Sequence, residues 1–187
     1  MTRRMLIMAN FESAIKQTLI HEGGYNEVKG DAGGATNFGI SLRFLKGLDD
    51  NLDLADINND GKIDSLDIKN LTEEHAKKIY FEEFWKANKC DLIEDDAVAA
   101  KFFDMSVNMG LRQATKLLQR ACNYFKLFGL TVDGKIGNKT LQAVNQVNPE
   151  QLLNVMRKEC QSFYIYLVDE KPAYEKFLKG WLRRAAS

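Results

Sequence analysis

The chain has 187 residues, of which 45% are hydrophobic, so it can bury a sizeable core and is not expected to be disordered. Its 26 lysines and arginines balance its 26 aspartates and glutamates, which argues against a nucleic-acid-binding protein, since such proteins usually carry a basic excess. No apolar run of about 18 residues occurs, so no membrane insertion is expected. The three cysteines have no CxxC spacing and are expected to be buried, reduced thiols: Cys90, Cys122 and Cys160.

The first predicted element is a helix over residues 10–22, where apolar residues recur at helical spacing. Asn10 is suited to cap its N-terminus. The Gly23–Gly24 pair then ends the helix, because glycine readily adopts the left-handed conformation that follows a helix. Glu22 is therefore predicted to lie in the last helical turn, where the helix dipole favours the protonated form of a carboxylate.

Six further helices are predicted, in a chain that is otherwise rich in turns. Thr72 caps the first of them, Gly110 ends the second, and Pro149 opens the fifth. Strand signals are weak, with short strands around 26–42. We therefore predict a mainly α, lysozyme-like fold with a loop-rich or short β segment and a small C-terminal helical region. The six helices are predicted over 72–89, 95–109, 111–127, 138–146, 149–168 and 173–184.

An acidic loop, DINNDGKIDSLD at 56–67, has the spacing of a calcium-binding loop, with oxygen-bearing residues at alternate positions and a glycine at the tight turn. Its last position is Asp67 rather than the usual glutamate, and the shorter side chain should weaken or reshape the site. Because the loop is single, calcium is expected to have a structural role. The alternative is an acidic turn whose carboxylates cap their own backbone. The predicted ligands are Asp56, Asn58, Asp60, Lys62 (through its carbonyl), Asp64 and Asp67.

The segment HEGGYNEVKGDAGGATNFGIS at 21–41 concentrates glycines around acids. It resembles the opening of glycoside hydrolase family 108, lysozyme-like N-acetylmuramidases of bacteria and their phages, through EGGY at 22–25 and DAGGATNFGIS at 31–41. FWKANKCD and FDMSVNMG are similar to later family segments, and VDGKIGNKTLQAV resembles part of a predicted peptidoglycan-binding region. The resemblance implies a lysozyme-like catalytic region over 8–110 and a peptidoglycan-binding-like helical region over 111–187.

A glycosidase needs a general acid at the leaving oxygen and usually a second carboxylate. Glu22 is the candidate acid. Asp31 is the candidate second carboxylate, although it also suits an Asx-turn. The hydroxyl of Thr36 would hold a water molecule or orient Asp31, or it would satisfy the loop backbone. The order of these three residues is similar to that in phage-type lysozymes.

Three residues are candidates for substrate binding: Tyr25, Asn37 and Asn108. Tyr25 would stack on a sugar ring or pack against the protein. Asn108 would reach substrate amides from the end of a helix, or cap that helix beside Gly110. In VDGKIGNKT the glycines serve turn geometry, and we assign no ligand residue there. The basic C-terminal segment would bind an anionic wall or pack on the catalytic helices.

We therefore predict hydrolysis of the β-1,4 bond between N-acetylmuramic acid and N-acetylglucosamine in peptidoglycan. The alternatives are a lytic transglycosylase acting on the same bond, and a non-catalytic peptidoglycan-binding or secretion-associated protein. The expected partner is the peptidoglycan glycan strand, the expected state is a monomer, and the chemistry should need no cofactor. The N-terminus lacks a classical signal peptide, so release to the periplasm or exterior is expected through a holin or another route.

Overall fold

The structure, a computed structural model, describes residues 10–22, 25, 35–48 and 52–187. The predicted mainly α fold is confirmed, with one short two-stranded sheet among the described residues. The elements of the N-terminal half are α1 (Phe11–Glu22), β1 (Thr36–Asn37), β2 (Ile40–Ser41), α2 (Leu42–Lys46), α3 (Leu52–Ala55), α4 (Ser65–Asn70), α5 (Glu73–Tyr80) and a π-helical segment (Phe81–Lys86). A 3-10 turn (Cys90–Leu92) is followed by α6 (Asp96–Met109), α7 (Leu111–Tyr124), α8 (Asn138–Gln146), α9 (Pro149–Glu170), a second 3-10 turn (Pro172–Tyr174) and α10 (Glu175–Ala186).

Backbone contacts group the chain into two compact units. One unit spans Ile15–Glu83, and the other combines Met1–Ala14 with Phe84–Ser187. These bounds differ from the predicted functional regions, 8–110 and 111–187. Compact units do not test that division, which stays a prediction. Among the described residues, no helix is long and apolar enough to cross a membrane.

The first unit contains the sheet, a tight hairpin in which Phe38 and Gly39 join the strands. Both residues have positive φ angles, 50° and 76°, as a type I′ hairpin turn requires. Phe38 is held in this unfavourable conformation partly by Tyr80, whose hydroxyl donates to the Phe38 carbonyl at 2.9 Å. The antiparallel register places Thr36 opposite Ser41 and Asn37 opposite Ile40.

The predicted helix over 72–89 begins as expected but changes character after Tyr80, where the π-helical segment follows. A π-helix has more residues per turn than an α-helix, so it rotates the side chains that follow it. In an unbroken α-helix Ala76, Tyr80, Phe84 and Ala87 would share one apolar side, and this prediction is wrong at its end, since Phe84 is half-buried and Ala87 is exposed. Trp85 is buried instead, with an exposed fraction of 2%.

The second unit is built around α6, α7 and α9, which pack on one another. The spacing of Ala99, Phe102, Phe103 and Ser106 in the sequence predicts that they share one side of α6, and all four are fully buried. The rings of Phe11, Trp85 and Phe103 meet edge to face at centroid distances of 5.5–5.8 Å. The three cysteines are buried and free, as predicted.

The C-terminal helix α10 is fixed to the rest of the second unit. Trp181 stacks on Tyr164 of α9 at 5.2 Å, and Arg184 forms a salt bridge with Asp104 of α6 at 3.0 Å. The buried ammonium of Lys101 donates to two carbonyl oxygens in the last turn of α10 at 2.9 Å. The salt bridge of Arg184 to α6, which lies in the predicted catalytic region, matches the packing alternative for the C-terminal segment.

Candidate functional site

Glu22 is the last residue of α1, as predicted from the sequence. The helix begins at the predicted cap, because the Asn10 Oδ1 accepts a hydrogen bond from the Ser13 N–H at 3.3 Å. The structure describes the backbone of Glu22. Asp31, the candidate second carboxylate, lies outside the described residues, and both residues keep their predicted roles only as predictions.

Thr36 and Asn37 are adjacent on β1, so their side chains leave opposite faces of the hairpin. Thr36 is half-buried, and Asn37 is 7% exposed. The Nδ2 of Asn37 donates to the carbonyl oxygens of Ile68 and Leu71 at 3.1 and 3.2 Å. Because both amide hydrogens join the hairpin to the end of α4, this geometry favours a structural role for Asn37, and we do not carry it into the proposed site.

Tyr25 has an exposed fraction of 44%. An aromatic side chain that is exposed to this extent offers apolar surface beside a polar hydroxyl, the combination that suits a sugar ring. This exposure fits the stacking hypothesis better than the packing one, although substrate binding by Tyr25 remains a prediction.

Asn108 lies in the last turn of α6 and its amide nitrogen donates to the hydroxyl of Tyr164 on α9. Burial raises the pKa of Tyr164 well above its usual range, so this partner is a neutral hydroxyl. Gly110, with a φ of 80°, ends the helix without help from Asn108. The hydrogen bond to Tyr164 thus replaces the predicted cap, and it fixes the orientation of the Asn108 side chain.

The acidic loop forms a closed set of hydrogen bonds around its own backbone. The carboxylate of Asp56 accepts from the N–H groups of Asp60 and Gly61 at 3.1 and 2.8 Å. The Asp60 carboxylate accepts from the Lys62 N–H at 2.9 Å. Asn58 accepts from the Asp60 N–H through Oδ1 at 3.1 Å, so the first half of the loop is a succession of Asx-type turns.

The second half of the loop is tied to the first by Asp67, which is fully buried. Its Oδ1 accepts from the N–H groups of Ile57 and Asn58 at 2.9 and 3.3 Å, and its Oδ2 accepts from the Asp64 N–H at 2.7 Å. Asp64 in turn caps α4 by accepting from the Leu66 N–H at 2.7 Å. The residue at the twelfth loop position therefore bridges the two ends of the loop.

These hydrogen bonds match the self-capped alternative, but they do not test calcium binding. Within residues 10–22, 35–48 and 52–187, no group of three or more histidine, cysteine, aspartate or glutamate side chains is arranged as a metal site. The side-chain donors that the loop offers are oxygens, the atoms that calcium prefers. A carboxylate oxygen has two lone pairs and can accept an N–H while it contacts a cation. The loop chemistry therefore fits calcium, and calcium stays a prediction.

Comparison with known proteins places these residues in a family. The model of glycosyl hydrolase 108 matches residues 15–110, and a model described as a predicted peptidoglycan domain matches residues 113–186. The two regions define a glycoside hydrolase with a peptidoglycan-binding region. The chain belongs to the glycosyl hydrolase 108 family, as its resemblance to that family implied.

A solved structure, that of SagA from Brucella abortus, is similar over most of the chain. It shares 28% sequence identity and superposes with a TM-score of 0.72, covering 94% of this chain and 89% of that one. No curated protein matches the chain.

Proposed function

We propose that the protein hydrolyses the β-1,4 bond between N-acetylmuramic acid and N-acetylglucosamine in peptidoglycan, with Glu22 as the general acid. The observation that carries this proposal is the place of Glu22 at the C-terminal end of α1, within the segment that matches the glycosyl hydrolase 108 family. A carboxyl group at the negative end of a helix dipole is favoured in its protonated form, which a general acid needs before it reacts.

In the proposed mechanism Glu22 donates its proton to the glycosidic oxygen as the bond breaks. Asp31 activates the attacking water or stabilises the positive charge that develops on the sugar. Thr36, on β1, orients that water or Asp31 through its hydroxyl. Asn108 forms a hydrogen bond with an acetamido group of the substrate, as donor or as acceptor. Tyr25 stacks on a sugar ring.

The experiment compares Glu22→Gln with Glu12→Gln, since Glu12 is an exposed acid in the first turn of the same helix. We expect wild type and Glu12→Gln to clear purified peptidoglycan and release products with reducing ends. Glu22→Gln should lose about a thousandfold or more of this activity, because the proposed mechanism assigns the proton transfer to Glu22.

Mass spectrometry of the products separates hydrolysis from its alternative. Anhydro sugars would mark a lytic transglycosylase, in which Glu22 acts without water. Clearing by Glu22→Gln at the wild-type rate would refute the assigned role. Binding to the wall by a folded wild-type protein that releases no product would favour the non-catalytic alternative.

We further propose that the acidic loop binds calcium in a structural role. Asp56, Asn58, Asp60, Asp64 and Asp67 would hold the ion through side-chain oxygens, with the carbonyl of Lys62. Calcium would neutralise a segment whose negative charges otherwise repel one another. A calcium titration followed by melting temperature tests this: we expect stabilisation of wild type and loss of the response in Asp56→Asn. Asp53→Asn removes a nearby exposed charge outside the pattern and should keep the response. An unchanged wild-type melting temperature in excess calcium would contradict the proposal.

A further inference from the structure

A cavity of about 760 Å³ opens in the second unit beside the loop that joins α7 to α8. It is lined by residues between Phe128 and Gln142 and by Gln119 of α7. The whole cavity lies in the segment that matches the predicted peptidoglycan domain. Its volume falls in the range typical of sites for small molecules and short peptides.

Two amide side chains of α7 hold the loop in place. Asn123 pairs with the backbone of Leu130 in both directions, donating to its carbonyl and accepting from its N–H at 2.7 Å. Gln119, which is 2% exposed, donates to Asp133 Oδ1 at 2.9 Å and to the Lys135 carbonyl at 3.1 Å, and accepts from the Gly134 N–H at 3.0 Å. The cavity is therefore preformed, and a ligand would not have to order the loop.

Three exposed charged side chains line this cavity: Asp133, Lys135 and Lys139. In the part of the chain that the structure describes, none of them forms a salt bridge. Hydrogen bonds from Gln119 and from the Lys135 N–H lower the pKa of Asp133, so its carboxylate stays ionised. Lys139 lies in the first turn of α8, where a cation is unfavourable to the helix dipole, so helix stability does not explain it.

The lining also offers apolar surface, because Phe128 and Ile136 are half-buried and face the same cavity. The cavity thus combines two cations, one anion and apolar side chains at fixed positions. A ligand that satisfies all of them carries carboxylates and an amine on a short chain with small apolar groups. An N-acetylated sugar chain without peptide has no amine, so it would give the Asp133 carboxylate no cationic partner.

We propose that this cavity binds the stem peptide of peptidoglycan. Stem peptides carry free carboxylates, which would form salt bridges with Lys135 and Lys139. They commonly also carry an amine at the third residue, and its protonated form would donate hydrogen bonds to the Asp133 carboxylate. Their alanine methyl groups would contact Phe128 and Ile136. This inference rests on the proposed action on peptidoglycan and names the part of the polymer that the C-terminal region recognises.

The test is calorimetric binding of the full-length protein to two soluble probes. One is the free tetrapeptide L-Ala–γ-D-Glu–meso-diaminopimelate–D-Ala, and the other is chitotetraose, which carries no peptide. We expect the tetrapeptide to bind, and Lys135→Gln with Lys139→Gln to weaken it about tenfold or more, because each substitution removes a charge-assisted contact. Lys158→Gln changes an exposed lysine of α9 away from the cavity and should bind as wild type does.

Two results would overturn the proposal. Wild type that does not bind the tetrapeptide would refute peptide recognition whether or not chitotetraose binds, since the catalytic region is itself expected to bind glycan. Tetrapeptide binding that survives the double substitution in a protein with unchanged circular dichroism would place the peptide elsewhere. The tetrapeptide contains no glycosidic bond, so its binding is independent of catalysis: a protein that binds it without clearing peptidoglycan would refute the hydrolase proposal alone.

Discussion

Asp67 offers the sharpest test of how the acidic loop is built. Its carboxylate is fully buried and accepts three backbone N–H groups, from Ile57, Asn58 and Asp64. Hydrogen bonds to a charged group contribute about 1.5–3 kcal/mol each, and they are not additive. Asp67→Ala removes the three acceptors together and leaves a cavity, so we expect it to lower the free energy of unfolding by about 3–5 kcal/mol.

Asp67→Asn is the more discriminating change because it keeps the size of the side chain. Its carbonyl oxygen can still accept from Ile57 and Asn58, but its NH₂ group then faces the Asp64 N–H, donor against donor. We expect a loss of about 1.5–3 kcal/mol. Asp60→Asn makes the same chemical change at an exposed loop position and should cost about 1 kcal/mol or less.

Urea unfolding in EDTA measures these losses without any contribution from calcium. If Asp67→Asn is as stable as Asp60→Asn in EDTA, the hydrogen bonds of Asp67 do not stabilise the loop and the argument fails. If the Asp67→Asn loss appears only when calcium is present, Asp67 acts as a metal ligand, as its position in the sequence pattern predicts.

Three further outcomes follow from the second unit. Gly134→Ala should cost about 2–4 kcal/mol, because φ is 76° and an added Cβ would lie 2.7 Å from the Arg112 carbonyl oxygen. Gly137→Ala should cost about 1 kcal/mol or less, because its φ is −111° and an added Cβ meets nothing within 4 Å, so only the weaker N-cap of α8 is lost. Burial raises the pKa of the Cys122 and Cys160 thiols to about 12 each, so a thiol reagent at pH 8 should label them only after unfolding, and rapid labelling of native protein would contradict their burial. The pKa of Asp133 is lowered on folding, so the stability difference between wild type and Asp133→Asn should be present above about pH 4 and disappear as the pH falls through the folded pKa; a stability difference that does not change with pH would refute this.

The sequence predicts the long helices well because their signals are local. The helix over 138–146 is observed with those bounds, and Asn10 and Thr72 cap helices as expected. The helix predicted to reach residue 127 ends at Tyr124, since Lys126 adopts a left-handed conformation with a φ of 57°. No residue type marks that position, so the sequence pattern alone does not predict it.

Other features depend on contacts between distant residues and were missed for that reason. The residues of the π-helical segment suit an ordinary α-helix, yet the segment places Trp85 in the core. Packing against residues distant in sequence decides this, and no local pattern predicts it. Asn37 directly follows Thr36 in the sequence, and its hydrogen bonds to Ile68 and Leu71, which favour a structural role, join residues more than 30 positions apart. The short helices α2, α3 and α4 fall in a segment where turn signals outweigh periodicity.

The segment VDGKIGNKT contains three charged residues that line the cavity, and its sequence alone does not indicate a binding site. The glycines explained the turn, so the charges between them were not assigned a role. If Asp133, Lys135 and Lys139 bind the stem peptides of peptidoglycan, their contribution to the rate of cleavage should depend on whether the substrate carries peptides. On insoluble peptidoglycan, binding through the C-terminal region raises the effective concentration of glycan strands at the catalytic region. Loss of the two lysines should therefore slow the clearing of whole sacculi while cleavage of a short soluble glycan without peptide stays at the wild-type rate. Equal loss on both substrates would mean that the lysines act on the catalytic region rather than on retention at the wall.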